Sequence, residues 1–490
     1  MGLTESAGKE QPGAAPPRRV SLGWTLGLTS LATFMVALDA LVVITALPSI
    51  GIDFKASVST LQWTINAYGL TWASGIITAA ALGDRFGRRR VFISGVALFT
   101  LASAACAIAP NMGVLIASRA VQGFGAAIIL PLSLTILAAV FPPEKRSTMI
   151  GIWGGIGGLA VALGPLVGGV LTQDLNWHWV FWVNVPIGAA VLLFSTLKLV
   201  ESHGPQGRLD LPGVVLAAAG AVAIIWALVQ SSGVGWSSPE VIGGLVGGFV
   251  LIGAFVYWEG RAPQPMLPLR LFRNKAFSAA NITSFAMTGA LVSSCLYLTE
   301  YFQSVRGDTP LNAGVRLLPM LAMPLFVTPL AGVVAGKVGP RTLIVGGLLI
   351  ECVGLGWFAA IASTSVGYSL LIIPMVLTGI GLSLALATTP TAALGAVQQA
   401  DMGKASGVNS TLTRFGGAFG VAITTAAFAA SEHIGSPSGV MDGIRPALLA
   451  CAGFALIGAL SGLAIRRAAN PPVPPQMKSP SAPTPVAVDD

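Results

Sequence analysis

Four ionisable side chains interrupt long apolar runs in this chain. Asp39 stands in ATFMVALDALVVITALP, Arg119 in VLIASRAVQGFG, Glu300 at the end of SSCLYLTE and Glu351 in IVGGLLIECVGLG. A charge held inside a bilayer costs several kcal/mol, so such residues default to proton relays, ion paths or substrate contacts. A carboxylate's hold on a proton is tuned in opposite senses by burial and by a neighbouring guanidinium. That tunability suits a proton carrier. Helical rise sets Asp39 about 24 Å from the inner end of its run and Arg119 about 7 Å from the outer end of its own. The two are therefore expected at similar depth, with Asp39 binding a proton and Arg119 tuning it; a structural Asp and an arginine snorkelling to the outer surface are the alternatives. Glu300 lies near an outer end and reads equally as a solvated rim residue. Glu351 is mid-run, and either acid could take a second proton or a cationic ligand. A fifth charge, Arg414, about 12 Å into its run, reads as snorkelling to the inner surface.

The elements that position these groups are membrane helices. The chain has 490 residues, 54% hydrophobic and 9% charged, against about 25% charged in soluble domains. Runs long enough to cross a bilayer fall near 23–47, 62–82, 91–109, 114–138, 149–172, 179–199, 212–231, 240–258, 277–303, 314–336, 342–361, 366–390, 406–430 and 446–465, which makes fourteen spans. Most of the 27 Lys and Arg collect on the segments that are inside if the N-terminus is cytoplasmic, so both termini are expected there. The net charge of +8 follows from this loop bias and gives no reason to expect nucleic acid. Cys106, Cys295, Cys352 and Cys451 lie singly in apolar runs, and the three histidines are far apart. That spacing offers neither a metal site nor a disulfide framework.

Residues 151–172, GIWGGIGGLAVALGPLVGGVLT, carry eight glycines and no charge. Glycines four apart (Gly151 and Gly155, Gly154 and Gly158, Gly164 and Gly168) let helices approach closely in lipid, and Pro165 bends the rod. An internal repeat is visible as well. Gly123-x-Gly125 recurs as Gly379-x-Gly381, and Gly151 and Gly164 as Gly407 and Gly420, all at one offset (379 − 123 = 256). The implied organisation is a cytoplasmic tail (1–22), a six-helix bundle (23–199), a linker holding two extra spans (200–276), a second six-helix bundle (277–466) and a cytoplasmic tail (467–490). Repeated halves with a site between them at mid-membrane are a common secondary-transporter plan.

Four stretches carry a family resemblance. LGDRFGRRRVF (82–92) matches the loop between spans two and three of the major facilitator superfamily at Asp84, Gly87, Arg88 and Arg89, with Ala80 in place of the motif's first glycine. LIASRAVQGFGAA (115–127) matches its span-four motif at Arg119, Gln122, Gly123 and Gly125. The run from Ala160 through Gly164, Pro165, Gly168 and Gly169 is similar to the motif of its antiporters. LDALVVITALP (38–48) resembles the span-one signature of the fourteen-span drug:proton antiporters at Asp39, Ala46, Leu47 and Pro48, with Leu41 and Ile44 where Thr and Asn are common.

The resemblance implies an all-α major facilitator fold and a multi-pass protein of the bacterial plasma membrane. It implies a proton-coupled exporter of amphiphilic small molecules, drugs or antibiotics, rather than an enzyme. Such a protein works as a monomer, with no cofactor, on the proton gradient. The 82–92 loop would latch the halves together at the cytoplasmic side, with positive-inside anchoring as its plainer use. A metabolite exporter or uptake symporter on the same fold is the nearest rival, and a membrane-embedded sensor or enzyme a remote one.

Overall fold

The computed structural model describes residues 22–203, 210–263, 265, 267–398, 401–430 and 437–465. Apart from Leu22, the expected terminal tails lie outside the described residues. The first bundle comprises α1 (Leu22–Phe54), α2 (Val58–Phe86), α3 (Arg88–Ala107), α4 (Met112–Val140), α5 (Pro143–Asp174), the single turn α6 (Trp179–Trp182) and α7 (Asn184–Lys198). Two helices follow, α8 (Leu211–Val234) and α9 (Pro239–Glu259). The second bundle comprises α10 (Lys275–Glu300), extended by a π turn (Tyr301–Val305), then α11 (Pro310–Leu321), α12 (Met323–Val338), α13 (Pro340–Ile361), α14 (Tyr368–Gly395), α15 (Met402–Ala429) and α16 (Pro437–Gly462).

Among the described residues, thirteen helical segments are long and apolar enough to cross a membrane. The fourteenth expected span, α2, is 29 residues long but falls outside that set. Its polarity is turned inward: Gln62, Thr64 and Asn66 are each buried. The expected run 314–336 is broken at Ala322 into α11 and α12. Pro324, in the first turn of α12, has no N–H to continue the ladder of α11. Conversely, α1 continues past the expected end at 47 to Phe54, and Asp39 therefore sits near its middle.

The end of the molecule that carries Arg85 and Arg88–Arg90 is termed the basic face, and the opposite end the far face. In the first bundle α1 packs on α5 and α4, while α2 and α3 pack on α4. In the second, α10 packs on α15 and α16, and α13 on α14 and α16. The α1–α5 and α10–α15 pairings occupy equivalent places, as the glycine repeat requires. The bundles meet along two seams, α2 with α15 and α5 with α11. Toward the far face, one apolar cluster runs through both bundles, including Leu47, Leu61, Tyr297, Phe302 and Leu317. The helix α8 pairs with α9 and lies against both α2 and α15, over their seam.

Candidate functional site

Asp39 and Arg119 form a closed ion pair. Arg119 Nη1 donates to Asp39 Oδ2 at 2.6 Å, and the two side chains are 1% and 0% exposed. The packing of α1 on α4 brings them together. Gly123 allows the approach of α2, since a Cβ there would overlap the Tyr68 carbonyl, and Gly125 does the same for α3 at Phe99. The remaining hydrogen-bonding capacity is largely taken up. Asp39 Oδ1 accepts from Gln122 Nε2 at 2.9 Å and from Asn184 Nδ2 at 2.8 Å. Arg119 also donates to the Thr64 carbonyl and to Gln122 Oε1. Asn184 bonds onward to Ser103 Oγ, which donates to the Phe181 carbonyl. Two helices, α4 and α7, thus donate to one carboxylate of α1, and α2, α3 and α6 hold the donors. Satisfaction of this kind is what lets a charge pair persist in a low-dielectric interior.

The Arg119 guanidinium also lies over the Tyr68 ring, 4.0 Å from its centre. Tyr68 meets Trp72 edge to face at 5.3 Å, and Trp72 carries Arg414 of α15 on its ring at 3.7 Å. Arg414 therefore does not snorkel to the basic face as expected from the sequence. It turns sideways into the α2–α15 seam, where cation–π attraction to an indole is strongest among aromatics. The result is a stacked line from the ion pair of one bundle to a cation of the other. Nearer the far face the same seam is polar: Gln62 donates to the Tyr297 hydroxyl at 3.3 Å and accepts from Thr425.

The two glutamates do not join this constellation. Glu300 accepts from Ser304 at 2.5 Å and lines a cavity of about 260 Å³ with Leu47, Leu61 and Gln62, near the far face. Glu351 is fully buried inside the second bundle, where Gly381 of α14 lets the α13 backbone come close. Neither of its carboxyl oxygens has a hydrogen-bond partner.

The antiporter-motif residues build the far-face closure. Gly164 and Gly168 pack on α1, at Leu41 and at Val42 and Thr45. Gly169 meets the other bundle: a Cβ there would lie 2.6 Å from the Pro310 carbonyl oxygen. Gly314 of α11 in turn presses on the Pro165 carbonyl. Gln303 donates to the Thr45 carbonyl at 3.0 Å. Just before α11, Asp308 pairs with Arg316 at 2.7 Å; burial raises its carboxyl above the ordinary value, against Arg316 and Arg306, which lower it. The other half of α5 differs from expectation. A Cβ at Gly151, Gly154, Gly155 or Gly158 would meet nothing within 4 Å, so these glycines make no close helix contact here. Toward the basic face α1 and α5 part, leaving a groove of about 570 Å³ lined by Gly27, Ser30, Leu31 and Phe34 of α1 and Ile156 of α5.

The 82–92 loop is bonded within its own bundle. Asp84 pairs with Arg88 at 2.8 Å. Arg89 donates to the Ser195 and Thr196 carbonyls. The organising group is Glu201, whose carboxylate accepts from the backbone N–H of Arg89 at 2.9 Å and of Arg90 at 3.2 Å. It caps the N-terminus of α3, where a negative charge is favoured. Gly87, at φ +102°, leaves the carboxylate room, since a Cβ would fall 2.6 Å from Glu201 Cδ. Replacing Glu201 by alanine is expected to cost about 1–2 kcal/mol, the scale of a lost helix cap. Thermal unfolding of the purified protein checks this, and an unchanged midpoint would remove Glu201 from the cap.

Sequence reasoning missed Asn184 and Glu201. Asn184, a lone amide in the run FWVNVPIG, carried the signal of any polar group in a membrane span. Glu201 carried none, because its role depends on a chain reversal 112 residues after Arg89.

The profile of the Major Facilitator Superfamily matches residues 29–420. The chain is 32% identical over 401 residues to the tetracenomycin C resistance and export protein of Streptomyces glaucescens, covering 81% of this chain and 74% of that one. It is 36% identical over 408 residues to multidrug resistance protein Stp of Mycobacterium tuberculosis, covering 83% and 76%. Among solved structures it is similar in fold to a bacterial homologue of the human lysosomal transporter Spinster, inward-facing and unoccupied, with TM-score 0.64, 17% identity and coverage of 91% and 97%.

Proposed function

Because the chain belongs to the major facilitator superfamily and is a multi-pass protein of the bacterial plasma membrane, we propose that it exports amphiphilic small molecules, drugs or antibiotics, in exchange for protons. The relatives' names carry the cargo class: tetracenomycin C export in one and multidrug resistance in the other. The single observation that carries the mechanism is the buried Asp39–Arg119 pair. In this reading the basic face is cytoplasmic, both termini lie there, one chain is the working unit, and no cofactor takes part.

Close inter-bundle contacts at Gly169, Gly314 and Gln303 lie toward the far face, and in this reading they belong to a state sealed outside. When the far face opens, a proton reaches Asp39 and neutralises the carboxylate. Arg119 then loses its counter-charge while keeping its seat on Tyr68. The Tyr68–Trp72–Arg414 stack links that change to α15 of the other bundle. Protonation thereby alters the seam on which the halves rock, and deprotonation inside restores it. The 82–92 loop serves the opposite state, when the basic face closes. Glu300, in its far-face cavity, and Glu351, enclosed in the second bundle, are further protonatable groups outside the pair.

Inside-out vesicles test the reading. Acidifying the lumen should drive a fluorescent drug into the vesicles, an uncoupler should stop it, and Asp39→Asn should reduce gradient-driven uptake to the protein-free level. Cargo moving in the same direction as the proton would overturn export by exchange; full, uncoupler-sensitive transport by Asp39→Asn would remove Asp39 as the carrier.

A further inference from the structure

The contact of Arg414 with the Trp72 ring leaves its guanidinium N–H donors uncommitted. Arg414 is half-buried in α15, and among the described residues it forms no ion pair. Asp39 is paired with Arg119, and Glu300 accepts from Ser304. The ring under Arg414 adds a second uncommitted donor: Trp72 is 2% exposed and its indole Nε1 has no hydrogen-bond partner. Guanidinium and indole N–H are both donor-only groups. The Trp72 ring itself belongs to an apolar cluster with Met35, Val36, Tyr68 and Ile76. A donor-only pair with an apolar surround, deep between the two bundles, complements an acceptor that carries negative charge on an apolar body.

We propose that Arg414 and the Trp72 indole bind the anionic group of the cargo, so that this transporter takes amphiphilic organic anions, carboxylates or phenolates. The inference rests on the export reading and names the substrate class for it. Arg414 supplies the charge and Trp72 holds its guanidinium in place. The fixed fork of Arg suits two-point contact with a carboxylate. Exchange of a monoanion outward for one proton inward moves two charges in the same electrical sense, so transport responds to membrane potential as well as to pH.

The test uses equilibrium binding to the purified full-length protein, with no gradient, so that its outcome is independent of export and of proton coupling. Three probes share one ring system: 2-naphthoate, 2-naphthamide and 2-naphthylmethylammonium. Quenching of intrinsic tryptophan fluorescence, with calorimetry as the second readout, gives the affinities. The wild type should bind the carboxylate about ten- to hundredfold more tightly than the amide, the scale of a hydrogen bond to a charged group. Arg414→Gln should abolish that preference while leaving amide affinity in place, and Arg414→Lys should keep part of it. Trp72→Phe, which retains a ring but not the N–H, should weaken the carboxylate several-fold and keeps the test decisive if Arg414→Gln fails to fold. Equal affinity for carboxylate and amide in the wild type, or preference for the ammonium, overturns the proposal. So does loss of all three probes together in a folded Arg414→Gln, which would make Arg414 a clasp between bundles only. If binding follows the proposal but the vesicles show no proton-driven export, the site stands and the export reading falls.

Discussion

Arg119→Met is expected to lower the stability of the folded protein by about 3–5 kcal/mol and to abolish transport. The stability loss follows from leaving the Asp39 carboxylate, 0% exposed, without its counter-charge, and one-sided removal of a buried pair costs on this scale. The remaining bonds from Gln122 and Asn184 are neutral and do not replace the guanidinium. Removing both charges in Asp39→Asn/Arg119→Met should return most of the stability, because neither partner is then an isolated ion, while transport remains absent. Denaturant unfolding of the two single variants and the double variant gives the coupling directly. A stable Arg119→Met would mean that the pair does not hold the bundle. A double variant that regained proton-driven transport would detach the pair from coupling.

Gly169→Leu should arrest the cycle at a different point. Its Cβ alone would lie 2.6 Å from the Pro310 carbonyl oxygen and 2.8 Å from Leu311 Cα, both backbone of the opposite bundle, and backbone yields little. Overpacking of about 1–3 kcal/mol then falls only on the state closed at the far face, shifting the population toward the open state by up to about a hundredfold. Transport should fall to background although the protein folds. A cysteine at Ser304, in the far-face cavity, should react faster with a membrane-impermeant maleimide in Gly169→Leu than in the parent. The native cysteines, three buried and one partly so, give a low background. Gly158→Ala is the comparison, since its Cβ meets nothing within 4 Å. Unchanged labelling and transport in Gly169→Leu would mean that this contact does not seal the far face.

How much of this was visible in the sequence depends on how local each cause is. The membrane class, the two-bundle plan and the partnership of Asp39 with Arg119 were legible because each leaves a motif or a composition on a single helix. The glycine-rich helix was legible in part. Its motif half, Gly164 to Gly169, is packed, but Gly151, Gly154, Gly155 and Gly158 face open space, and glycine spacing alone cannot say which side of a helix has a neighbour. Arg414 was placed wrongly because distance along a helix predicts snorkelling only when no aromatic ring lies beside it, and Trp72 belongs to the other bundle. The break at Ala322 was legible in Pro324 but was passed over within an unbroken apolar run. Glu201 could not be assigned from local pattern at all.

The placement of α8 has a consequence for which residues the rest of the chain can afford to carry. Its buried face, Ala221, Ile225 and Val229, joins Leu70 of α2 and Ala418 and Ala422 of α15 in one apolar cluster. In the α2–α15 seam lie Gln62, Thr425 and Arg414, groups that acyl chains cannot solvate. Two bundles that slide on a bare seam would have to keep it greasy, because every stroke would wet it with lipid. With α8 as an insulating strip, the dielectric of the seam is set by protein throughout the stroke. The inserted helix pair thus relaxes the compositional constraint on the moving contact, and polar chemistry can reside at the place where the molecule bends.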